Sequence, residues 1–576
     1  MKRKPELLAN GEFDVLVVGA GMFGACAAWS AVLRGYSVAV IDKADFAHAT
    51  SSNHYKFIHG GIRYLQHADI VRTRESSRER SALVRIAPHL AYPMPIVLPT
   101  YGHAKKGKLI MQAGMLAYDV VTADRNRGIP DRTRRTPMGS VLGRDEVLQM
   151  FPGVRKEGLT GAAVFYDGQM YNPARLVLSF LKAAESRGAV PVNYVQAERF
   201  LLDGDRVAGC RVKDCLSGEQ FDVRSRITIN AAGPWAAREL LHHPSLEFHP
   251  KPSFSRDLAF VIDRPISRTH ALGCQAKSHD SDALLDRGGR HLFLVPWRGK
   301  TLVGVWHRYS KASPDRITVS KEELRSFLSE INEAYEGLDL RFEDIRMINT
   351  GLILFGSEDD QASGSDHSFA KRSVLVDHKK HGLDGLISVV GARATVARGV
   401  GDKTLELVDR KLESGKIGPK NGKSASEWEK IHGGDFGEFA SLVTDIQERL
   451  PGVGHETARA VAHNYGSAWT ELVDCAPETS YLEPAGQTNV LKAEAVHAVR
   501  HEMATSLADI VFRRTELGSG GDPGAEAIRA SADIAGKEFG WNEEKRDSEI
   551  RSVTAILEQR GPWNMVETNA DMPSGE

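Results

Sequence analysis

This sequence contains few cysteines and carries almost no net charge. Its 576 residues include five cysteines, and the formal net charge is −1 at pH 7. The cysteines are scattered without a C-x-x-C pair, which argues against a disulfide framework and a structural zinc site and favours a reducing compartment. A balanced charge provides no global attraction for nucleic acid. We therefore expect an intracellular protein with no metal site and no nucleic-acid partner.

Long apolar runs are also missing. No stretch of about 18 uninterrupted apolar residues occurs, so the sequence predicts no membrane-spanning helix. The basic start MKRKPELLANGEFD lacks the apolar core of a signal peptide. We expect a cytoplasmic protein, and the sequence leaves open both peripheral contact with the inner face of a membrane and a homodimer.

What the chain does contain is a glycine turn between two apolar strands. The stretch FDVLVVGAGMFGACAAWSAVLRGYSVAVID, residues 13–42, predicts a strand, a turn, a helix and a second strand. Gly19, Gly21 and Gly24 form G-x-G-x-x-G, which permits the turn, lets backbone N–H groups approach a diphosphate, and packs the helix on the strand. Asp42 lies near the usual offset of about 20 residues for the carboxylate that holds a ribose hydroxyl. These residues predict an adenine dinucleotide without distinguishing NAD from FAD.

The segment after Asp42 departs from the pattern of a nicotinamide enzyme. Thr50, Ser51 and Ser52 offer hydroxyl groups and backbone donors to phosphates. An amphipathic helix at 69–86 and a strand in PMPIVLP follow. Between residues 190 and 229, short strands with turns at 203–204 and 217–218 form a meander that ends in RITINAAGPWA. This arrangement fits a flavoprotein better than an alternating βα dehydrogenase.

Composition and periodicity divide the chain into several parts. Residues 12–244 and 385–415 are predicted to form a discontinuous dinucleotide-binding Rossmann domain, and residues 245–384 a sheet-based substrate domain. A linker at 416–432 precedes a helical domain at 433–565, and residues 566–576 are predicted to be disordered. The predicted fold class is therefore α/β with an all-α C-terminal domain.

Several long motifs give this chain a family resemblance. They are VVGAGMFG, ATSSNHYKFIHGGIRYL, APHLAYPMPIVLP, INAAGPWA, VVGAR, YLEPAGQTNVLKAEAVHAVRHEMATSLADIVFRRTELG and GWNEEKRDSEI. The chain resembles the FAD-dependent glycerol-3-phosphate dehydrogenase/oxidase family from Asp14 to about Arg560. The resemblance decides FAD over NAD, implies a D-amino-acid-oxidase-like substrate domain, and adds Gly233 and Gly391 to the cofactor-binding residues.

The resemblance also implies an activity. A flavin would take hydride from C2 of a small polyol phosphate, most simply sn-glycerol 3-phosphate, giving dihydroxyacetone phosphate. Electrons would then pass to a quinone at a membrane surface or to dioxygen. His59, Arg63 and Tyr64 match the catalytic positions of the family's H-G-G-x-R-Y. Histidine suits a proton acceptor and arginine a bidentate clamp on substrate oxygens.

The substrate positions match the family less well. The cations that the resemblance assigns to the substrate are Arg372, Arg393 and Arg398. Where the family carries a histidine, a phosphate-binding arginine and the ending G-T-T-D, this chain has Leu258, Ile353 and GVWH with Trp306 and His307. A lost ion-paired donor would cost roughly 2–5 kcal/mol. Two alternatives therefore stay open: a different hydroxy or amino acid as substrate, or a flavin-binding protein with little turnover.

Two other motifs are interpreted as ordinary structure. The stretch LPGVGHETARAVAHNYG, residues 450–466, resembles a DNA-binding helix-hairpin-helix, but we expect its turn simply to join two helices. His497 and His501 lie four residues apart beside Glu502, in an order that differs from the zinc motif H-E-x-x-H. We interpret them as part of a polar helix face.

Overall fold

The strands and helices below come from a computed structural model. It describes residues 1–65, 69–102, 108–236, 252–276, 291–310, 313–357, 372–412, 424–450 and 452–565. The tail predicted at 566–576 and residues 416–423 of the linker predicted at 416–432 lie outside the described residues.

The described strands, in chain order, are β1 Glu12–Val18, β2 Val38–Ile41, β3 Phe57–Ile58, β4 Ala91–Tyr101, β5 Ser140–Gly143, β6 Leu159–Met170, β7 Val190–Val192, β8 Val195–Asp203, β9 Arg206–Asp214, β10 Gln220–Asn230, β11 Pro252–Ile262, β12 Ala271–Gln275, β13 His291–Trp297, β14 Lys300–Ser310, β15 Ile345–Ser357, β16 Val374–Asp377 and β17 Leu386–Val390. The described α-helices are α1 Glu6–Ala9, α2 Met22–Leu33, α3 Ile62–Leu65, α4 Ile70–Ile86, α5 Lys108–Val121, α6 Arg144–Met150, α7 Pro173–Glu185, α8 Lys321–Ala334, α9 Ala397–Lys411, α10 Phe439–Arg449, α11 His455–Tyr465, α12 Thr470–Cys475, α13 Lys492–His501, α14 Leu507–Asp509, α15 Ala525–Phe539 and α16 Glu543–Gln559.

The first sheet has a parallel centre, as the glycine turn predicts. Its order is β16-β17-β10-β1-β2-β7, with β8 and β9 added beside β10. Strand β1 pairs in parallel with both β2 and β10, and its residues Val15 to Val18 are buried. Helix α2 is almost wholly buried and packs against α7 and α9. Helices therefore cover the apolar strands, as a parallel sheet requires.

Local signals place several elements correctly. Helix α4 begins after Asp69, whose side chain accepts a hydrogen bond from the Arg72 N–H at 2.9 Å. Helix α7 begins after Asn172 with Pro173 in its first turn. The predicted meander is present as β8, β9 and β10, joined by turns at the expected positions. Capping side chains and a pre-set proline φ explain these helix starts.

The second sheet corrects the predicted domain boundary. Its order is β15-β11-β14-β13-β12-β4-β6-β3, with β5 beside β6. Strands β3 to β6 belong to the segment that we assigned to the dinucleotide domain, and β16 joins the first sheet although it lies in the predicted substrate segment. The reason is long-range pairing: β4 lies between β12 and β6. The chain therefore passes between the two sheets more often than the predicted domain bounds imply.

One irregularity in this sheet affects which side chains share a face. Along β11 and β14, Leu258 pairs with Trp306 but Phe260 pairs with Val303. One residue of β11, Ala259, therefore lies opposite two residues of β14, Gly304 and Val305. This is a β-bulge, and it reverses the alternation of side chains along β14.

The C-terminal described residues form helices, which confirms the predicted all-α domain. The stretch 450–466 contains the turn between α10 and α11, so the motif joins two helices as we expected. His497 lies on a polar helix face, as interpreted, but this part of the face is buried. Its side chain is fully buried, with Nε2 at 2.9 Å from Glu471 Oε2 and Nδ1 at 3.5 Å from Glu502 Oε1.

Candidate functional site

The three glycines of the turn lie where a diphosphate group would bind. Gly19 has φ +103°, a left-handed conformation that favours glycine. A Cβ atom on Gly24 would lie 1.8 Å from the Gly19 carbonyl oxygen, so α2 packs directly on the turn. Gly21 is the N-cap of α2 and has no capping side chain of its own. The backbone cradle and the positive end of the helix dipole therefore fit a dinucleotide diphosphate.

Asp42 holds the end of β2 beside this turn. Its Oδ2 accepts a hydrogen bond from the Ala20 N–H at 2.7 Å, and its Oδ1 accepts one from the Ala44 N–H at 3.1 Å. His48 Nδ1 lies 3.4 Å from Oδ1. Burial raises the pKa of Asp42 against the opposing effect of His48. The carboxylate lies where the sequence pattern predicts the ribose contact.

The loop after β2 connects the turn to the second sheet. The Ser51 hydroxyl accepts a hydrogen bond from the Met22 N–H at 2.9 Å, at the N-terminus of α2. The Thr50 hydroxyl donates to the Leu352 carbonyl at 3.1 Å. Ser52 donates to the Ala47 carbonyl at 2.7 Å, within the loop itself. Of the three predicted phosphate-binding hydroxyls, only Ser51 therefore bonds to the glycine turn.

The two remaining predicted cofactor glycines flank the same turn. Gly233 has φ +57° and begins the 3₁₀ turn that follows β10. A Cβ atom on Gly391, just after β17, would lie 1.9 Å from the ring of Phe23 in α2. The ends of β10 and β17 therefore come close to the start of α2, at the edge where open parallel sheets bind their ligands.

His59 is oriented by a carboxylate that the sequence analysis missed. Its Nδ1 lies 3.2 Å from Asp167 Oδ2, and the Gly60 N–H donates to Asp167 Oδ1 at 2.6 Å. Because a carboxylate only accepts, Nδ1 carries the proton, so in the neutral ring Nε2 is the acceptor. The His59 N–H donates to Thr395 Oγ1 at 3.0 Å, near the start of α9. The stretch GAAVFYDGQM predicts a strand, which is present as β6, but a strand pattern does not indicate that the side chain of Asp167 reaches His59.

Tyr64 and Arg393 form a second group close to this loop. The Arg393 guanidinium donates to the Tyr64 hydroxyl and lies 4.9 Å from the centre of its ring. The Arg72 guanidinium lies 4.6 Å from the centre of the same ring. Arg63 lies in α3 directly before Tyr64, and only its backbone is described. Arg372 is exposed and lowers the pKa of Asp69, behind the larger effect of hydrogen bonding from Arg72.

The structure does not bring Arg398 to this group. Its guanidinium is buried and bonds to Glu79 at 2.5 and 2.8 Å, to Asp402 at 2.6 Å and to Ser426 at 2.8 Å. These acceptors occupy all of its nitrogens. Arg398 therefore fastens α4 to α9, and we leave it out of the proposed substrate set.

Two of the substituted substrate positions also lie elsewhere. Leu258 is fully buried among the apolar residues beneath α8, and Trp306 stacks on Phe327 of that helix with ring centres 5.4 Å apart. Both side chains are on the face of the second sheet that is turned away from Thr50. This corrects the expectation that they shape the substrate pocket. Ile353 is half-buried and shares the opposite face with Gly351, whose added Cβ would lie 3.0 Å from Thr50 Cγ2.

A buried ion cluster joins the cofactor loop to the C-terminal helices, and the sequence analysis missed it as well. Asp45 is fully buried and accepts from Arg514 at 2.6 and 2.7 Å, from Arg513 at 2.5 Å and from Asn193 at 2.9 Å. Burial opposes the charge of Asp45, but the two guanidinium groups hold its pKa below the usual range. The loop that follows Asp42 is therefore fixed by the C-terminal domain.

Together, the glycine turn, the buried Asp42 and a second sheet facing the same loop are the arrangement of a dinucleotide-dependent oxidoreductase. Residues 14–395 match the family described as FAD dependent oxidoreductase, which confirms the FAD prediction. Residues 424–546 match the C-terminal domain of alpha-glycerophosphate oxidase. The chain belongs to the FAD-dependent glycerol-3-phosphate dehydrogenase family.

Individual relatives agree with this assignment. A glycerol-3-phosphate dehydrogenase of Synechocystis sp. is 31% identical over 97% of this chain and 98% of its own length. An aerobic glycerol-3-phosphate dehydrogenase of Staphylococcus saprophyticus is 30% identical over 88% of this chain and 87% of its own. The solved glycerol-3-phosphate dehydrogenase of Bacillus halodurans, complexed with FAD, has a TM-score of 0.72 at 22% identity and covers 96% of both chains. That structure shows the shared fold.

Proposed function

We propose that this protein oxidises the C2 hydroxyl of a small polyol phosphate, most simply sn-glycerol 3-phosphate to dihydroxyacetone phosphate. The observation that carries the proposal is the His59–Asp167 pair beside the Tyr64–Arg393 pair, next to a dinucleotide site. The family names of the full-length relatives support the substrate class. FAD, when bound, supplies the hydride acceptor.

The residues of this chain would divide the remaining work. His59 Nε2 would take the proton of the C2 hydroxyl, because Asp167 holds Nδ1 at 3.2 Å and stabilises the imidazolium that forms. Arg393 would hold the phosphate, because among the described residues no carboxylate lies within ion-pair distance of its guanidinium. Tyr64 accepts a hydrogen bond from Arg393 and so fixes its direction. Arg63 and Arg372 are proposed as further cations around the phosphate.

The electron acceptor is proposed to be a quinone reached from a membrane surface. Among the described residues, exposed apolar side chains gather at the start of α4 and along α5: Ile70, Val71, Leu116 and Val120. Arg74 links the two helices by donating to the Val121 carbonyl at 2.7 Å. The hydroxyl of Tyr118, also in α5, donates to the Gly60 carbonyl at 2.8 Å, beside His59. An apolar surface tied to the reaction loop favours peripheral membrane contact.

In the part of the chain that the structure describes, none of the helices is long and apolar enough to cross a bilayer. The proposed contact is therefore peripheral, on the cytoplasmic side. Dioxygen is the alternative acceptor. The two are separated by measuring turnover with a short-chain quinone and with air as the only oxidants.

The substrate is tested by anaerobic titration of the purified flavoprotein. We expect sn-glycerol 3-phosphate to bleach the flavin absorbance and glycerol to leave it unchanged, because only the former offers a phosphate to Arg393. Arg393→Gln should raise the KM by about 30-fold or more, since removing one partner of a charge pair costs roughly 2–5 kcal/mol. Lys403→Gln is the control, because Lys403 forms an exposed surface pair with Glu75.

A different result would select another substrate. If glycerol 3-phosphate leaves the flavin oxidised while a hydroxy acid or amino acid bleaches it, the proposed substrate is wrong and Ile353 gains importance as the position where the family's arginine is missing. If no member of a broad panel reduces the flavin, a flavin-binding protein with little turnover replaces the enzyme.

A further inference from the structure

A fully buried arginine lies behind the loop that carries His59. Arg80 belongs to α4 and is 0% exposed, and among the described residues no carboxylate lies within ion-pair distance of its guanidinium. Its Nε and Nη2 have no hydrogen-bond partner among those residues either. A buried charge without a partner costs free energy. The presence of Arg80 at this position therefore indicates a role beyond the packing of α4.

The guanidinium of Arg80 meets this loop at Gly60. A Cβ atom on Gly60 would lie 2.2 Å from Arg80 Nη1 and 2.6 Å from the hydroxyl oxygen of Tyr118. The Tyr118 hydroxyl donates to the Gly60 carbonyl at 2.8 Å. Helices α4 and α5 therefore both contact the residue that follows His59, and the loop has no room to move towards them.

Arg80 also holds the strand that carries Asp167. Its Nη1 donates to the carbonyl oxygen of Tyr166, the residue before Asp167 in β6. Asp167 Oδ1 in turn accepts from the Gly60 N–H at 2.6 Å, and Oδ2 lies 3.2 Å from His59 Nδ1. One guanidinium thus contacts both the loop and the strand between which the His59–Asp167 pair forms.

The charge of Arg80 faces the same carboxylate. Burial raises the pKa of the Tyr118 hydroxyl, Arg80 opposes this effect and Asp167 adds to it, so both charges act on one hydroxyl group. The contacts through Gly60 place Arg80 Nη1 within about 7 Å of Asp167 Oδ1. Asp167 is 7% exposed, so little water screens the two charges from each other. The positive charge of Arg80 therefore stabilises the carboxylate that orients His59.

We propose that Arg80 is a positioning residue for proton transfer to His59. By holding Tyr166 and Gly60 and by stabilising the Asp167 carboxylate, it keeps the His59 ring in the orientation and tautomer that leave Nε2 as the acceptor. The inference rests on the proposed function, in which His59 takes the proton of the C2 hydroxyl. Arg80 acts through His59 and contacts neither the substrate nor the flavin in this role.

The kinetic test measures anaerobic flavin reduction in the holoenzyme. Arg80→Met should lower the reduction rate at saturating substrate about 10- to 100-fold per bound flavin, because misplacing a catalytic group by about 1 Å can cost about 100-fold. The KM should stay within about threefold, since Arg80 holds no part of the substrate. Arg80→Lys keeps the charge and one donor group and should recover most of the rate.

Arg134 offers a matched control. It is 6% exposed, its Nε and Nη2 also lack hydrogen-bond partners among the described residues, and its guanidinium lies 4.0 Å from the ring centre of Phe439 in α10. Arg134→Met should leave the reduction rate per bound flavin unchanged. Combining Arg80→Met with Asp167→Asn should slow reduction no further than the slower single variant does, because Arg80 acts through Asp167.

A second measurement does not depend on turnover. ¹⁵N-histidine spectra at about pH 8.5, above the ordinary pKa of histidine, report which ring nitrogen carries the proton. The His59 signals are assigned by their absence from His59→Gln. They should show the Nδ1–H tautomer in the wild type and a mixture of both tautomers in Arg80→Met. Should Arg80→Met not retain flavin, Arg80→Gln takes its place in both measurements, with the same expected results.

The outcomes separate this inference from the proposed function. Wild-type protein with sn-glycerol 3-phosphate tests the proposed function alone, and the variants are compared on whichever substrate reduces the wild-type flavin. If no substrate does so, the proposed function fails, while the tautomer spectra still decide whether Arg80 positions His59. An unchanged saturating rate or an unchanged tautomer in Arg80→Met would overturn the assignment. Equal losses in Arg80→Met and Arg80→Lys would reduce Arg80 to a packing residue.

Discussion

The buried ion cluster at Asp45 gives a quantitative prediction. Asp45→Asn keeps the shape of the side chain but removes the charge that faces Arg513 and Arg514 at 2.5 to 2.7 Å. The side chain of Asp45 is 0% exposed and that of Arg514 is 1% exposed, so water cannot replace the lost partner. Removing one member of a buried charge pair costs about 3–5 kcal/mol. We expect a loss of stability of that size.

The control is a more exposed pair in which a carboxylate accepts two hydrogen bonds from one guanidinium. Glu538 accepts from Arg500 Nε and Nη2 at 2.7 and 2.8 Å, on the surface of the C-terminal helices. Glu538→Gln should cost only about 0–1 kcal/mol, because exposed pairs are screened by solvent. Thermal and urea unfolding of both holoproteins, followed by tryptophan and flavin fluorescence, gives the comparison. Because Asp45 lies in the cofactor loop, flavin release should occur earlier in Asp45→Asn.

The contribution of Asp45 to the free energy of unfolding should depend on pH in a definite direction. The pKa of Asp45 is lowered in the folded chain, so its contribution is present above the unfolded value near 3.8 and is lost as the pH falls below it. The difference between wild type and Asp45→Asn should be constant from about pH 5 to 8 and shrink below about pH 4. Equal unfolding midpoints for Asp45→Asn and Glu538→Gln at pH 7 would refute the reasoning.

Two further variants test the turn and a buried acid. Gly24→Ala should be purified without flavin, because the new Cβ atom would lie 1.8 Å from the Gly19 carbonyl oxygen. Gly114→Ala is the control and should keep its flavin, because a Cβ atom at Gly114 would meet nothing within 4 Å. Equal flavin content in the two variants would contradict this packing. Burial raises the pKa of Glu494 to about 8, so its stabilising contribution is complete below about pH 4.5 and declines as the pH rises to 8. In Glu494→Gln, this decline in the free energy of unfolding, a few kcal/mol in the wild type, should be absent. Melting temperatures of both proteins between pH 5 and 8 check this. The same pH dependence in both proteins would contradict the role given to Glu494.

Local chemistry made much of the first sheet predictable. The glycine spacing, the carboxylate after β2 and the capping side chains Asp69 and Asn172 each act within a few residues of the element they specify. The turns of the meander are set in the same local way. The family motifs added two predictions that the glycine turn alone does not determine. These are FAD as the cofactor and the catalytic role of the loop that contains His59.

The rest depends on contacts between distant segments. Asp167 is 108 residues from His59, and Arg514 is 469 residues from Asp45, so no spacing in the sequence connects them. The predicted boundary between the dinucleotide and substrate domains differs from the observed sheets for the same reason, because β4 pairs with β12 and β6. The faces of Leu258 and Trp306 could not be predicted because hydrophobicity does not reveal which side of a sheet is covered by a helix and which by a cofactor loop.

The β-bulge opposite Ala259 makes this part of β14 tolerant of a change in length. Because two residues of β14 face one of β11, Val303 and Trp306 lie on the same face although they are three positions apart in the sequence. Deleting either Gly304 or Val305 would make the strand regular and would leave Trp306 opposite Leu258 and His307 opposite Asp257. Relatives that are one residue shorter at this point could therefore present the same side chains to the same faces of the sheet. Deleting one residue further along the strand would instead exchange the faces of the residues that follow it.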